Sequence, residues 1–205
     1  SFRDHLEGGV VGPRCGAGDA VVPRICVHAL TKKDSKTAGS LIVSWRNGLG
    51  VACRHCFYNP CISVYIPVYL TGQLPACFST GGAVYSAYSL WWAMERLNCA
   101  VEADSARFHA DVRAHMDALE SAFSAQAVEV EDQAISLFAA GKSKEATELL
   151  DALTQSCAEQ LLSAANNEIC RILTLLQKDG GLYGCRAAYL KEYCKETAIP
   201  FLDAE

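Results

Sequence analysis

The cysteine-rich segment around residue 55 holds the side chains best suited to metal binding or nucleophilic chemistry. Cys53, His55 and Cys56 are close neighbours, and Cys61 follows them. A C-x-x-C pair can supply two ligands of a tetrahedral zinc site, but the second pair that completes such a site is missing. On a strand, Cys53 and Cys56 would also point to opposite faces. We therefore expect no metal here, and structural thiols rather than a nucleophile paired with His55.

Two features at the start of the sequence could also carry chemistry. Arg3, Asp4, His5 and Glu7 form a dense charged cluster that either contacts a ligand or holds a loop by ion pairs. Ser1 has a hydroxyl beside a free amine, which is a workable nucleophile and base. The sequence contains none of the glycine-rich phosphate-binding motifs and no G-x-S-x-G elbow, so no cofactor is predicted.

Composition limits the kinds of protein that this chain can be. Of its 205 residues, 51% are hydrophobic and 20% are charged, which is enough apolar material to fill a core. The net charge of −5 comes without clustered lysines and arginines, so a nucleic-acid partner is not expected. No apolar run reaches the roughly 18 residues that a membrane-spanning helix needs. Eleven cysteines, an odd number, predict a reduced and cytoplasmic protein.

The elements that must position these residues differ between residues 1–83 and residues 84–205. The first region holds 11 of the 15 glycines and five of the six prolines, with several β-branched runs. Strands are predicted at Pro23–Leu30, Gly39–Arg46, Val51–Tyr58 and Ile62–Leu70. In the second of these, alternation puts Leu41, Val43 and Trp45 on one face, and Asn47-Gly48 then predicts a turn.

Residues 84–205 show helical periodicity instead. Helices are predicted at 83–101, from Phe108 to Phe123, at 127–140 before Gly141, from Ser143 to about Leu176, and at 185–197. Strands followed by long antiparallel helices predict an α+β fold. The strands are too few to make a complete layer, so we expect further strands outside this sequence.

The order of short motifs resembles the bacterial dipeptidase A family, which is related to the secernins. FRDHLEG is similar to the family's RDH-x-EG segment, and LIVSWRNGLG to a strand that ends in an arginine. CFYNPCISVYIPVYLTGQLP resembles its S-x-Y-x-P-x-Y segment, and YSAYSLWWAMERLN its aromatic helix ending in asparagine. The similarity covers roughly residues 1–177. The stretch between Gly8 and Pro23 is shorter than in the family, and Gly9 stands where the family favours threonine.

The resemblance implies a cysteine peptidase of the N-terminal-nucleophile superfamily, with an αββα sandwich fold. In that family the nucleophile is a cysteine at the mature N-terminus, far upstream of RDH-x-EG, so the catalytic residue is expected outside this chain and Ser1 becomes an internal residue. Arg46 is the residue expected to contact substrate, by holding a dipeptide carboxylate or favouring the thiolate, and the alternative is a surface arginine at the end of a strand. Arg3, Asp4 and His5 are further substrate-side candidates.

The resemblance also implies the reaction and the assembly. Dipeptides would be hydrolysed through an acyl-enzyme, the isolated chain would be inactive, and the enzyme would form a homo-oligomer. The alternative from another class is a non-catalytic helical interaction or scaffolding module.

Overall fold

The computed structural model describes residues 26–28, 35–70, 72–181 and 187–201. The strands are β1 (Gly39–Arg46), β2 (Gly50–Phe57) and β3 (Tyr65–Val68). The helices are α1 (Ala76–Ser79), α2 (Leu90–Ala103), α3 (Ser105–Ala139), α4 (Ser143–Lys178) and α5 (Ala187–Thr197). The fold is α+β as predicted, with a three-stranded antiparallel sheet early in the chain and a mostly helical remainder. Across the described ranges, no helix is long and apolar enough to cross a membrane.

The sheet has the order β1-β2-β3, and each neighbouring pair is antiparallel. β1 has the predicted bounds, and the turn at Asn47-Gly48 joins it to β2. Gly48 has a φ of 80°, and a Cβ there would lie 2.8 Å from the side chain of Ile135 on α3, so only glycine fits this turn. The strand expected at 23–30 is absent from residues 26–28, the part of it that the structure describes.

The two long helices form an antiparallel hairpin because only Ala140, Gly141 and Lys142 separate them. The two helices predicted at 108–123 and 127–140 are one helix, α3, because its apolar side chains continue from Phe123 without a glycine or proline to stop it. Gly141, with a φ of 75°, ends the helix as predicted. Each fully buried large apolar residue in this hairpin stabilises it by about 1.5–3 kcal/mol.

Helix α2 begins later than its periodicity predicts. It starts at Leu90 rather than near residue 83, because the Ser89 side chain accepts a hydrogen bond from the backbone N–H of Trp92 and caps the helix. α2 packs on α4 and against the sheet. α2 therefore contacts both the hairpin and the sheet.

Burial rises steadily across the sheet from β1 to β3. All four residues of β3 are buried against α3 and α4, and β2 is mostly buried. β1 is largely exposed, and the side chains of Leu41, Val43 and Trp45 are 53%, 59% and 74% exposed. Within the part of the chain that the structure describes, no strand pairs with the outer edge of β1.

Candidate functional site

One face of α2 carries polar side chains into the interior. Glu95, Asn98 and Glu102 are spaced by three and four residues, so they share a face of the helix. All three are buried. Burying a carboxylate or an amide is unfavourable unless it is hydrogen-bonded, so this face needs polar partners from other parts of the chain.

The partner of Glu102 is His28, from the short segment 26–28. His28 Nδ1 lies 3.1 Å from Glu102 Oε1. Its other nitrogen, Nε2, lies 3.2 Å from Cys61 Sγ and 3.7 Å from Cys26 Sγ. Three segments that are far apart in sequence therefore meet at one imidazole, with a carboxylate on one side and two thiols on the other.

The loop after β2 brings Asn59 and Cys61 to this imidazole. It begins at Tyr58, which is buried and has a φ of 69°, a left-handed conformation that is uncommon for an aromatic residue. The backbone oxygen of Asn59 then accepts hydrogen bonds from the N–H groups of Ile62 and Ser63 and closes a turn. The Asn59 side-chain nitrogen lies 3.3 Å from His28 Nδ1.

Asn98 completes the network from the helix side. Its oxygen lies 3.4 Å from the side-chain nitrogen of Asn59, and its nitrogen donates to the hydroxyl of Tyr58 at 3.3 Å. The buried amides of the loop and of α2 therefore fix each other's positions. This network locks the loop that carries Cys61 against α2.

A small cleft opens on the other side of the same polar face. It is lined by Lys36, Tyr58, Glu95, Asn98, Cys99, Glu102, Tyr189 and Tyr193. Lys36 Nζ donates to Glu95 Oε1 and to the hydroxyl of Tyr193, both at 2.6 Å. The charge of Glu95 is therefore neutralised inside the protein by a lysine that precedes β1.

The protonation of the imidazole and thiols follows from these contacts. Burial lowers the pKa of His28, but its hydrogen bonds to Cys26 and Glu102 and the charge of Glu102 outweigh burial and raise that pKa to about 9. The hydrogen bond with Cys26, followed by burial, raises the pKa of the Cys61 thiol well above its usual range. A thiol with a raised pKa is a poor nucleophile near neutral pH.

Cys61, His28 and Glu102 have the order of a nucleophile, a base and a group that orients the base. Catalysis by this set would require substrate to reach the sulfur. Cys61 is only 2% exposed, and it does not line the cleft. The arrangement therefore suits a closed site better than a hydrolytic one.

The structure places Arg46 in a separate ionic cluster, at the end of β1. Its Nη1 donates to Glu131 Oε2 at 2.5 Å and its Nη2 to Asp132 Oδ1 at 2.6 Å, both on α3. Glu131 also accepts from Arg54 Nη2 at 2.9 Å and from the Tyr69 hydroxyl at 2.5 Å. Asp132 is exposed, whereas Glu131 is buried. Arg46 is thus anchored by one buried and one exposed carboxylate.

The other residues singled out in the sequence are only partly brought together. Arg3, Asp4, His5, Glu7 and Ser1 lie outside the described residues.

Within the cysteine-rich segment, Cys53 and Cys56 lie three apart on β2 and so face opposite sides of the sheet, as expected. His55 packs against Phe57, with ring centroids 4.3 Å apart. Only Cys61 of this segment reaches the polar cluster.

Sequence reasoning missed His28, Asn59, Asn98 and Glu102. The signal that could have found the last two is their spacing, because polar residues at helical intervals within an otherwise apolar, aromatic helix indicate a buried polar face. His28 gave only a weak signal, because Cys26 lies two residues away but Cys61 and Glu102 lie 33 and 74 residues away in the sequence.

Comparison with known proteins adds nothing to this picture. No protein-family description, no curated protein and no solved structure matches the chain.

Proposed function

We propose that this chain is the C-terminal portion of a dipeptidase whose nucleophile, an N-terminal cysteine, lies on polypeptide outside it. The ordered resemblance from FRDHLEG to the aromatic helix supports this proposal. The structural observation that carries it is the exposure of apolar side chains along β1.

The exposed apolar face of β1 is consistent with a larger sheet that has further strands and a second layer packed on this face. Leu41, Val43 and Trp45 point away from α3, because Arg46 on the opposite face of the strand reaches Glu131 on that helix. Burying such an apolar side chain contributes about 1.5–3 kcal/mol to stability. Three such side chains exposed on the same face of one strand therefore indicate a contact surface. In an αββα sandwich, a second sheet would pack on this face and a further strand would pair with the outer edge of β1.

Arg46 is the residue of this chain that we assign to the substrate. Its guanidinium is held in position by buried Glu131, so its geometry does not depend on ligand. Asp132 is exposed, and an exposed ion pair contributes only about 0–1 kcal/mol. A dipeptide carboxylate can therefore replace Asp132 on the guanidinium at little cost while Glu131 keeps the arginine in place.

The thiols support a reducing compartment for this enzyme. Among the nine cysteines within the described ranges, none forms a disulfide, although Cys99 and Cys194 lie close enough to share a hydrogen bond. We accordingly assign the enzyme to the cytoplasm. A homo-oligomer would also be consistent with the exposed apolar side of β1.

The decisive experiment compares the isolated chain with the protein produced from the same reading frame together with its upstream sequence. We expect dipeptide hydrolysis only from the longer protein, with inhibition by iodoacetamide and loss of activity when its first mature cysteine is changed to alanine. Cys170→Ser, at an exposed position on α4, should leave this activity unchanged. Turnover by the isolated chain that Cys61→Ser abolishes would instead place the nucleophile in the His28 cluster and overturn the proposal. A folded longer protein without any peptidase activity would favour the scaffolding module.

A second experiment tests the role of Arg46. In the longer protein, Asp132→Asn should lower the KM for dipeptides, because it removes the carboxylate that competes with substrate. Arg46→Lys should raise the KM, because lysine cannot bind a carboxylate with two parallel N–H groups. Glu129→Gln, an exposed change on the same helix, is the control. An unchanged KM for both Asp132→Asn and Arg46→Lys would remove Arg46 from the substrate site.

A further inference from the structure

The two thiols and the imidazole of the buried cluster point to a ligand that the proposed peptidase does not require. The coordinating atoms of Cys26, His28 and Cys61 all lie within 4.8 Å of one another. We propose that these three residues bind one zinc ion in a buried site. This inference is independent of the dipeptidase proposal, because it concerns a site away from Arg46 and the exposed face of β1.

The distances fit a tetrahedral metal. Zinc–sulfur and zinc–nitrogen bonds of roughly 2.3 and 2.0 Å at tetrahedral angles separate a sulfur ligand from a nitrogen ligand by about 3.6 Å. The observed separations from His28 Nε2 are 3.7 Å to Cys26 Sγ and 3.2 Å to Cys61 Sγ. An ion between the three atoms therefore needs only a small outward movement of Cys61.

The surroundings of the histidine also fit. Zinc-bound histidines commonly donate their second N–H to a carboxylate, which fixes the ring and strengthens its other nitrogen as a ligand. Glu102 occupies that position, 3.1 Å from His28 Nδ1. One ring nitrogen faces two thiols and the other contacts a carboxylate. This is the arrangement of a metal-binding histidine held in place by a second hydrogen bond.

A second observation concerns the surroundings of the ring. Asn59 is fully buried, and its side-chain oxygen has no hydrogen-bond partner among the residues that the structure describes. Its amide nitrogen lies 3.3 Å from His28 Nδ1, on the Glu102 side of the ring, so Asn59 borders the histidine and not the metal position. Cys26, His28 and Cys61 leave the fourth position of a tetrahedral ion to a water molecule or another ligand.

The charge and the chemical softness of the three ligands determine which metal fits the site. Two thiolates and a neutral imidazole suit zinc rather than calcium or magnesium, which prefer oxygen ligands. Binding forms two Zn–S bonds and one Zn–N bond, and three protons leave to solvent, two from the thiols and one from Nε2 of the protonated His28 ring. The two thiolate charges cancel the charge of the ion, and the buried Glu102 carboxylate keeps its contact with His28 Nδ1.

Metal content and spectroscopy of the wild-type protein test the site. Purified under reducing conditions with zinc present, the chain should retain about one zinc per molecule after dialysis. After replacement by Co(II), it should show the intense visible bands of tetrahedral cobalt and a sulfur-to-cobalt charge-transfer band. Cys26→Ser and Cys61→Ser should each weaken that band and abolish stoichiometric zinc, whereas Cys170→Ser, at an exposed position on α4, should change neither. Zinc far below one per chain, or equal losses in the Cys170→Ser control, would overturn the proposal.

Two further measurements test the site even if the cysteine variants do not fold. In the wild-type protein, zinc should slow alkylation of Cys26 and Cys61 but not of Cys170, as mapped on peptides after digestion. Glu102→Gln keeps the side-chain volume and should weaken zinc binding about 10–100-fold. Equal alkylation with and without zinc, or a Cys26–Cys61 disulfide in the freshly isolated protein, would exclude the metal site.

Discussion

The α3–α4 hairpin and the region around β1 and α2 distribute apolar and polar side chains in opposite ways. In the hairpin, most buried residues are apolar or small, and the two buried charged residues are Glu131 and Glu168. In the β1–α2 region, Leu41, Val43 and Trp45 are exposed on the strand, whereas Glu102 on α2 is buried and the His28 side chain beside it is largely buried. The difference teaches that the hairpin contributes much of the packed core, whereas both proposals above depend on the β1–α2 region.

The largest effect that this comparison predicts lies in the hairpin. Phe123→Ala removes a fully buried ring from α3 and should lower the free energy of unfolding by about 3–5 kcal/mol, because it leaves a cavity. Urea denaturation followed by circular dichroism measures this. Ser124→Ala, the exposed neighbour on the same helix, should change it by less than about 0.5 kcal/mol. A small effect of Phe123→Ala would mean that the hairpin core is not the stable part of the molecule.

The ionic cluster between β1 and α3 should give the next largest effect. Glu131→Gln removes the charge that accepts hydrogen bonds from Arg46, Arg54 and Tyr69, and should cost about 1.5–3 kcal/mol near neutral pH. Glu129→Gln, on the exposed side of α3, is the matched control.

The same cluster predicts a loss of stability in acid. Burial alone would raise the pKa of Glu131, but the hydrogen bonds from Tyr69, Arg54 and Arg46 together lower it below 4.5. A lowered pKa means that the stabilisation is fully present above pH 4.5 and is lost as the pH falls through the folded-state value. The difference between wild type and Glu131→Gln should therefore shrink below pH 4.5, and a constant difference would contradict the assignment.

A smaller pH effect should come from His55 on β2. Burial lowers its pKa from 6.5, and its Nδ1 has no hydrogen-bond partner within the described ranges. Its contribution is present above pH 6.5 and is lost as the pH falls through the folded-state value, because the unfolded chain takes up the proton first. His55→Gln should flatten the slope of unfolding free energy against pH just below 6.5, and parallel curves for the two proteins would show that His55 is not responsible.

The smallest effect in the isolated chain is expected at Trp45. This side chain is 74% exposed, so Trp45→Ser should change the free energy of unfolding by less than about 0.5 kcal/mol. In the longer protein proposed above, the same change should cost about 1.5–3 kcal/mol, because a second layer would bury the ring. Equal effects in the two proteins would mean that nothing covers β1 and would remove the main structural support for the dipeptidase proposal.

The sequence predicted the elements where local signals are strong. β1, the turn at Gly48 and the helix end at Gly141 are where they were expected, because glycine and strand alternation act over a few residues. The boundary between α2 and the preceding segment was misplaced, because the cap at Ser89 outweighs a periodicity that begins earlier. The predicted break within α3 was wrong, since no residue there stops a helix.

The candidate site was mostly beyond sequence reasoning, for a physical reason. Its thiol, imidazole and carboxylate come from Cys61, His28 and Glu102, and only tertiary packing brings these three segments together. Arg46 was singled out by resemblance, and its anchoring by Glu131 across 85 residues of sequence could not be inferred from the strand alone.

The three-residue connection between α3 and α4 has a consequence for how the chain folds. Contacts between helices joined so closely form with little loss of chain entropy, so we expect the hairpin to assemble early and to serve as the surface on which β3 and then the other strands dock. The meeting of residues 28, 61 and 102 must come after that docking. Any cation that the cluster holds would therefore bind late in folding. It would stabilise a nearly native structure rather than nucleate it.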